Sequence, residues 1–408
     1  MTRNQTVLFE TNSGSSVRGG FAVDAHAVGC RQTGNEVYIR NLLGQFGALD
    51  RESAFIAYVS KPGAISAIPS GFRHATVSAN PFRRLGLDLS RRLQKDRPEL
   101  LHVQYTAPLL SNVPVVASVH DVSFLECPRF FTPARALQLR MTVARTLKTA
   151  ARVITVSDFS RRAILRHYGG APERVVMIPN GVSGAFRPMN RQTASRRITE
   201  KFGISAPFVL TVGDLQPRKN HLGLLAAFES LLRARPELPH QLVLVGKDSW
   251  YSADLYRAVE RSAVRNRVHL TGFVTDADLL NFYGACDLFV FPSFYEGFGL
   301  PILEAMACGR AVACSNTTAM PEVAGGASIL FSPHSVTEIA RAMASALSDP
   351  NLRASLEQRG LRRARLFTWE RAARLTLDVY HEVAGSPRRF SSRSCDDADR
   401  ALLTAAAR

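Results

Sequence analysis

The chain has 408 residues, room for two or three domains, and its 46% hydrophobic and 21% charged composition excludes a disordered or fibrous protein. Lys and Arg total 51 against 34 Asp and Glu, a formal net charge of +17; this fits a solvated basic surface, or an anionic partner such as nucleic acid, a membrane surface or a phosphorylated substrate. No apolar run approaches the ~18 residues a spanning helix needs, and six scattered cysteines without a C-x-x-C pair argue against a disulfide framework or zinc site and for free thiols in a reducing compartment.

Residues 1–19 are polar and rich in Ser and Gly, with no apolar segment of a secretory leader. They read as a loose extension, and the protein as cytoplasmic. From Phe21 short apolar runs alternate with amphipathic stretches. Strands are predicted at 21–25, 54–60, 100–105, 115–120, 152–157 and 175–179, with helices such as 36–46 and 133–150 between them. Strand followed by helix, repeated, argues for a parallel sheet with helices on both faces. The grammar recurs after residue 207, with strands at 208–213, 241–246, 267–272, 288–293, 311–315 and 328–331 and helices at 221–235, 252–263, 277–285, 300–308 and 336–348. The segments divide as an extension (1–19), a first α/β domain (20–185), a linker (186–206), a second α/β domain (207–366), a terminal helix (367–384) and a Ser/Arg-rich disordered tail (385–408). Two doubly wound domains bind ligands at the carboxyl ends of their strands, so a cleft between them is the expected site.

The most informative string is FPSFYEGFGLPILEAMACG (291–309). Glu296 follows a strand, and Gly297, Phe298 and Gly299 form a tight turn. Pro301 falls at the start of a helix, where its missing N–H costs nothing. Backbone N–H groups from Gly297 to Leu300 and the helix dipole then suit an anion such as a diphosphate. Glu304, one turn into the helix, is placed to accept hydrogen bonds from vicinal hydroxyls, as in ribose recognition. Upstream, VGDLQPRKNHLGLLAAF (212–228) sets Arg218 and Lys219 just before a helix, with Asn220 as the expected N-cap. Two cations at a helix N-terminus oppose the dipole, and an anion would resolve the conflict.

These strings resemble the group 1 glycosyltransferases, a retaining family of GT-B fold that includes bacterial mannosyl- and glucosyltransferases. Further similarities run along most of the chain: FAVDAHAVGCRQTGNEVYIRNLL (21–43), HDVSFLECPRFF (120–131), VITVSDFSRRAIL (153–165), VVMIPNGV (175–182), LVLVGKDSW (242–250), LTGFVTDADL (270–279) and FTWERAARLTLDVYHEV (367–383). The resemblance implies two Rossmann-like domains facing across a cleft, with the terminal helix crossing back to the first. It implies a nucleotide-sugar donor, GDP-mannose before a UDP-sugar, and a glycan or lipid-linked acceptor. Arg218 and Lys219 match the pair that contacts the donor diphosphate, Glu304 the glutamate on the ribose, and Glu296 the one beside the donor sugar. Gly34 matches the loop glycine that approaches the phosphates, and His120 a histidine lining the reaction centre. The sequence departs from the family at Asp214, where many members carry Arg, and at Asn35 and Glu36 in the Gly34 loop.

No metal or other cofactor is expected: Asp276 and Asp278 imitate a metal-binding D-x-D, but they open a helix, where capping explains them. No nucleic-acid partner is expected either, because the Arg pairs at 83–84, 91–92 and 161–162 lack interleaved aromatics. A GT-B phosphorylase or sugar-nucleotide epimerase is the alternative reading of the same architecture. Basic stretches at 83–97 and 145–152, the second placing Arg145, Lys148 and Arg152 on one predicted helical face, point to peripheral contact with an anionic membrane.

Overall fold

The computed structural model describes residues 20–30, 33–205, 207–249 and 252–385. The expected extension at 1–19, the tail from 386 onward and Trp250 of the 242–250 segment lie outside the described residues.

Among the described residues, β1 (Phe21–Asp24), β2 (Phe55–Val59), β3 (Arg73–Thr76), β4 (Leu100–Gln104), β5 (Val115–Ser118), β6 (Arg152–Thr155) and β7 (Val175–Met177) form one sheet, ordered β3-β2-β1-β4-β5-β6-β7. A second sheet holds β8 (Phe208–Val212), β9 (Gln241–Val245), β10 (Val268–Gly272), β11 (Leu288–Phe291), β12 (Ala311–Ser315) and β13 (Ile329–Phe331), ordered β10-β9-β8-β11-β12-β13. Strands pair in parallel throughout, with Phe21 opposite Phe55 and Leu100, and Phe208 opposite Gln241. Helices cover both faces, so central strands such as FAVD and LFVF are wholly buried and, Asp24 apart, apolar without alternation. The architecture is α/β of GT-B form. Strand order reverses between β1 and β4 and again between β8 and β11, and at such points the loops diverge and leave a crevice.

The terminal helix Trp369–Val383 packs Trp369, Leu377 and Tyr380 into the core beneath β1 and β2. Its polar anchor is a buried chain: the Tyr380 hydroxyl meets His102 Nδ1 at 2.5 Å, His102 Nε2 meets Ser118 Oγ at 2.8 Å, and Ser118 Oγ meets the Tyr38 hydroxyl at 2.8 Å. Burial pushes His102 down to about 3, so the ring stays neutral and serves both neighbours. The chain passes between the two sheets at two adjacent places, where Val182 N donates to Phe367 O at 3.0 Å. A side chain at Gly181 would strike Trp369 N at 2.1 Å, so only glycine lets the two crossings touch.

Three expectations change. The expected linker contains a helix, Arg191–Phe202, that lays Ala194 and Ile198 into the second core. Strand β3 and the helix Pro350–Ala364 were not among the predicted elements. The basic face at 145–152 does not form: the helix Pro133–Thr149 ends before Arg152, which opens β6 and pairs with Glu382, while Arg145 donates to the carbonyls of Ala107 and Pro108. Among the described residues no helix is long and apolar enough to cross a membrane.

Candidate active site

The loops leaving both reversal points meet. Gly297, beyond β11, touches the segment beyond β5: a Cβ there would lie 2.5 Å from His120 O and 2.8 Å from Asp121 Cβ. Ser157 and Ser160 donate hydroxyls to Gly297 O at 2.7 and 3.3 Å. Phe130 stacks on Phe294 at 5.9 Å, Phe159 meets Tyr295 edge-on, and Arg40 pairs with Asp276 at 3.2 Å. The two halves therefore enclose a shared site.

At its centre Glu296 pairs with both expected cations, with Arg218 at 3.0 Å and Lys219 at 2.8 Å. Burial opposes ionisation of Glu296, but the two cations overcome it and hold the carboxyl at about 2. Burial lowers Lys219, and Glu296 recovers part of the loss; burial also opposes the Arg218 charge, but Glu296 and Asp121 raise it. The anion that resolves the dipole conflict at Arg218 and Lys219 is thus Glu296 itself. The two cations lie in a 3-10 turn, Pro217–Lys219, rather than in the first turn of the helix His221–Ala234. Asn220 takes the N-cap position but makes no capping bond, contrary to expectation. Its amide donates to Pro292 O at 3.2 Å and Pro333 O at 2.8 Å, tying the site loop to two neighbours.

Gly299 caps the helix Leu300–Ala307 at φ 104, a conformation open to glycine. The amides of Gly297, Phe298, Gly299 and Leu300 donate to no group among the described residues, so they are open to an anion. The Phe298 side chain is core, edge-on to Phe367 at 5.9 Å, and Leu300 is partly buried against the same core, so both can offer only backbone. Glu304 takes the Tyr283 hydroxyl at 2.8 Å, and burial raises its carboxyl to about 7.

His120 sits at the facing strand end. Its Nε2 meets Gln104 Oε1 at 2.9 Å, and Tyr38 and Tyr105 stand edge-on at 4.6 and 5.5 Å. Burial lowers it to about 4, so it acts as a neutral imidazole. Gly34, expected in a loop, instead lies exposed in the first turn of the helix Thr33–Leu49, and Gln104 Nε2 donates to Asn35 O at 3.3 Å, which holds the start of that helix at the same centre. Gly34, His120, Arg218, Lys219, Glu296 and the 297–300 turn are therefore gathered by linked contacts, with Glu304 four residues beyond the turn. Asp278 is held by Lys201 at 2.7 Å and by Thr275, which caps its helix. No group of three His, Cys, Asp or Glu placed for a metal occurs among the described residues.

Sequence reasoning missed Gln104, Tyr105, Tyr283 and Thr318. Thr318 Oγ1 accepts from Glu296 N at 3.1 Å. Tyr105, Asn220 and Thr318 all have φ near +60, strain that the fold concentrates around this cleft. The sequence signal for Gln104 and Tyr105 was their place at the end of a strand beside the reversal point.

Residues 195–363 match the family of glycosyl transferases group 1, and residues 32–185 match Glycosyltransferase Family 4. The chain is 35% identical over 266 residues to the O-antigen chain mannosyltransferase B of Escherichia coli, covering 65% of this chain and 69% of that protein. It is 31% identical over 281 residues to the E. coli serotype-specific mannosyltransferase WbdA, covering 67% of this chain and 34% of that one. Anabaena Alr3699/HepE, solved in complex with UDP-glucose, superposes with a TM-score of 0.73 at 18% identity, over 90% of this chain and 100% of that one.

Proposed function

Because the chain belongs to the group 1 glycosyltransferases and is a hexosyltransferase, we propose that it transfers mannose, with retention, from GDP-mannose to a growing, lipid-linked polysaccharide chain. The mannosyl choice rests on the names of the E. coli relatives. The observation that carries the donor reading is the buried cluster of Arg218, Lys219 and Glu296 beside four unused amides. A diphosphate brings about two negative charges; the cations and the 297–300 amides meet it as fixed charges and dipoles.

In this reading Glu304 takes the ribose hydroxyls and Gly34, without a side chain, lets the start of the helix Thr33–Leu49 approach the phosphates. Transfer proceeds on one face of the sugar. As the bond to the phosphate breaks, Arg218 and Lys219 stabilise the departing diphosphate, and Glu296 faces the positive charge developing at the anomeric carbon. The leaving phosphate takes the proton of the acceptor hydroxyl, with neutral His120 positioning the sugar. Positive charge comes from side chains, so turnover is expected to persist in excess chelator. The work belongs at the cytoplasmic side of an anionic membrane, where a lipid-linked acceptor is presented.

Calorimetric titration with GDP-mannose, GDP-glucose, UDP-glucose and UDP-galactose tests the donor. GDP-mannose should bind most tightly. Lys219→Ala should weaken that binding by about 1.5–3 kcal/mol, the worth of a charge-assisted contact. Equal binding of all four, or an unchanged affinity in folded Lys219→Ala, defeats the assignment.

A further inference from the structure

Among the described residues, six of the eleven large apolar side chains exposed to solvent fall in the first half of the chain, and the other five, Leu222, Tyr256, Phe273, Leu330 and Val336, in the second. Phe82, Leu87, Leu109, Leu110, Leu137 and Met141 lie together on one flank of the first sheet, each more than 40% exposed. Their contiguity follows from bonds between their segments. Leu109 N donates to Leu85 O at 2.8 Å, and Ser90 Oγ donates to Leu110 O at 2.7 Å, joining the 107–110 loop to the helix Leu89–Asp96. Arg145 joins the other side of that loop through the Ala107 and Pro108 carbonyls. Leu137, Met141 and Arg145 recur every four residues, on one face of the helix Pro133–Thr149.

Beside this patch lies an open cavity of about 530 Å³, lined by Arg83, Arg91, Arg92 and Lys95 against a single carboxylate, Asp88. Arg83 turns to Asp88 at 3.5 Å, and Arg92 to Thr76 O at 3.2 Å. Arg91 and Lys95 have no ion-pair partner among the described residues. Arg135, Arg140 and Lys148 stand exposed on the neighbouring helix.

An exposed apolar patch of this kind marks an interaction surface, and the charge beside it selects the partner. A second copy of the same face would set four cations against their own kind. Nucleic acid would want stacking aromatics, whereas five of the six apolar residues are aliphatic. Apolar side chains rimmed by Lys and Arg fit the boundary between headgroups and acyl chains. We propose that this flank docks on an anionic bilayer, with Phe82, Leu109, Leu110, Leu137 and Met141 entering the acyl boundary and a lipid phosphate held in the Arg83/Arg91/Arg92/Lys95 cavity. The surface deepens the acceptor side of the proposed function, but it stands or falls without donor chemistry.

Sedimentation of the full chain with vesicles, in the absence of any nucleotide sugar, tests it. The protein should bind vesicles in which about a third of the lipid is phosphatidylglycerol far better than pure phosphatidylcholine. Leu109→Ser/Leu110→Ser should lower the partition coefficient at least about tenfold, and Phe82→Ser should lower it in the same direction. Arg91→Glu/Lys95→Glu should abolish the preference for the anionic lipid. Melting curves check that each variant is folded, and only folded variants are scored. Millimolar inorganic phosphate should not displace the protein; full displacement would make the cavity a site for soluble phosphate and overturn the proposal. Binding that is untouched by the apolar variants and vanishes wholly in high salt would overturn it too, as would no binding at all. Calorimetric donor affinity is read separately, so failure here leaves the donor reading standing.

Discussion

Glu296 and Glu304 stand eight residues apart in sequence but in opposite electrostatic surroundings. Glu296 is ionised between two cations, whereas Glu304 is raised to about 7 by burial and bonded to Tyr283. Their Gln variants should therefore fail differently. Glu296→Gln should lower kcat by on the order of a hundredfold, since it removes charge that matters as the bond breaks. It also leaves two buried cations without their anion, a loss of about 3 kcal/mol or more in the donor-free protein. A donor diphosphate restores that anion, so the donor-induced rise in Tm should be larger than in the wild type. Glu304→Gln should chiefly raise the donor KM, by about tenfold. Identical, purely KM effects would make Glu296 a binding group alone.

The same carboxyls set the pH response. Glu296, held at about 2, contributes stability that is present above its unfolded value of 4.5 and is lost as pH falls through that window. Glu304 has the opposite sign: its folded value exceeds the unfolded one, so stability declines as pH rises from 4.5 to about 7. Ionised Glu304 is the better acceptor for hydroxyl groups. Donor affinity should therefore rise between about pH 6 and pH 8, and the slope should vanish in Glu304→Gln. A flat wild-type profile would contradict the ribose role. Both glutamates were legible in the sequence because one continuous string carries them. Tyr283 and Gln104 were not: Tyr283 meets Glu304 from within the helix Asp276–Ala285, and Gln104 meets His120 only because two strand ends lie side by side.

At the level of elements, the helix Asp158–Tyr168 is capped twice. Its own Ser157 accepts from Ser160 N at 3.1 Å, while Glu322, from the second half, accepts from Asp158 N at 2.8 Å and Phe159 N at 3.1 Å. A carboxylate at a helix start adds to the dipole interaction, so Glu322 fastens the cleft shut. Glu322→Ala should remove about 0.5–2 kcal/mol of that closure. Small-angle scattering should then show a larger radius of gyration and kinetics a lower kcat; an unchanged radius would contradict the latch. Elements with apolar runs were readable from sequence. Strand β3, RHAT, is a largely exposed edge with no apolar run, and the helix Arg191–Phe202 buries only Ala194 and Ile198, too thin a stripe to stand out from a linker.

Across the whole molecule, the returning helix couples the end of the chain to the first sheet. Tyr380→Phe removes the hydroxyl that meets His102, leaving a buried ring nitrogen unpaired. This should destabilise the protein by about 1–3 kcal/mol in urea titration; no change would mean that apolar packing alone holds the helix. The α/β order of both sheets was visible in the alternation of strands and helices. The crossing of Val182 against Phe367 was not, because residues so distant in sequence carry no local sign of their contact.

Sugar transfer itself tests the central claim most directly. Labelled GDP-mannose is incubated with a mannooligosaccharide bearing a lipid aglycone, and the linkage of the product is read by NMR. The account predicts labelled, elongated glycan with the anomeric configuration of the donor retained, and little product from the Glu296→Gln variant. No transfer from GDP-mannose or any UDP-sugar, with the glycan instead cleaved by inorganic phosphate, would contradict it, as would a product of inverted configuration.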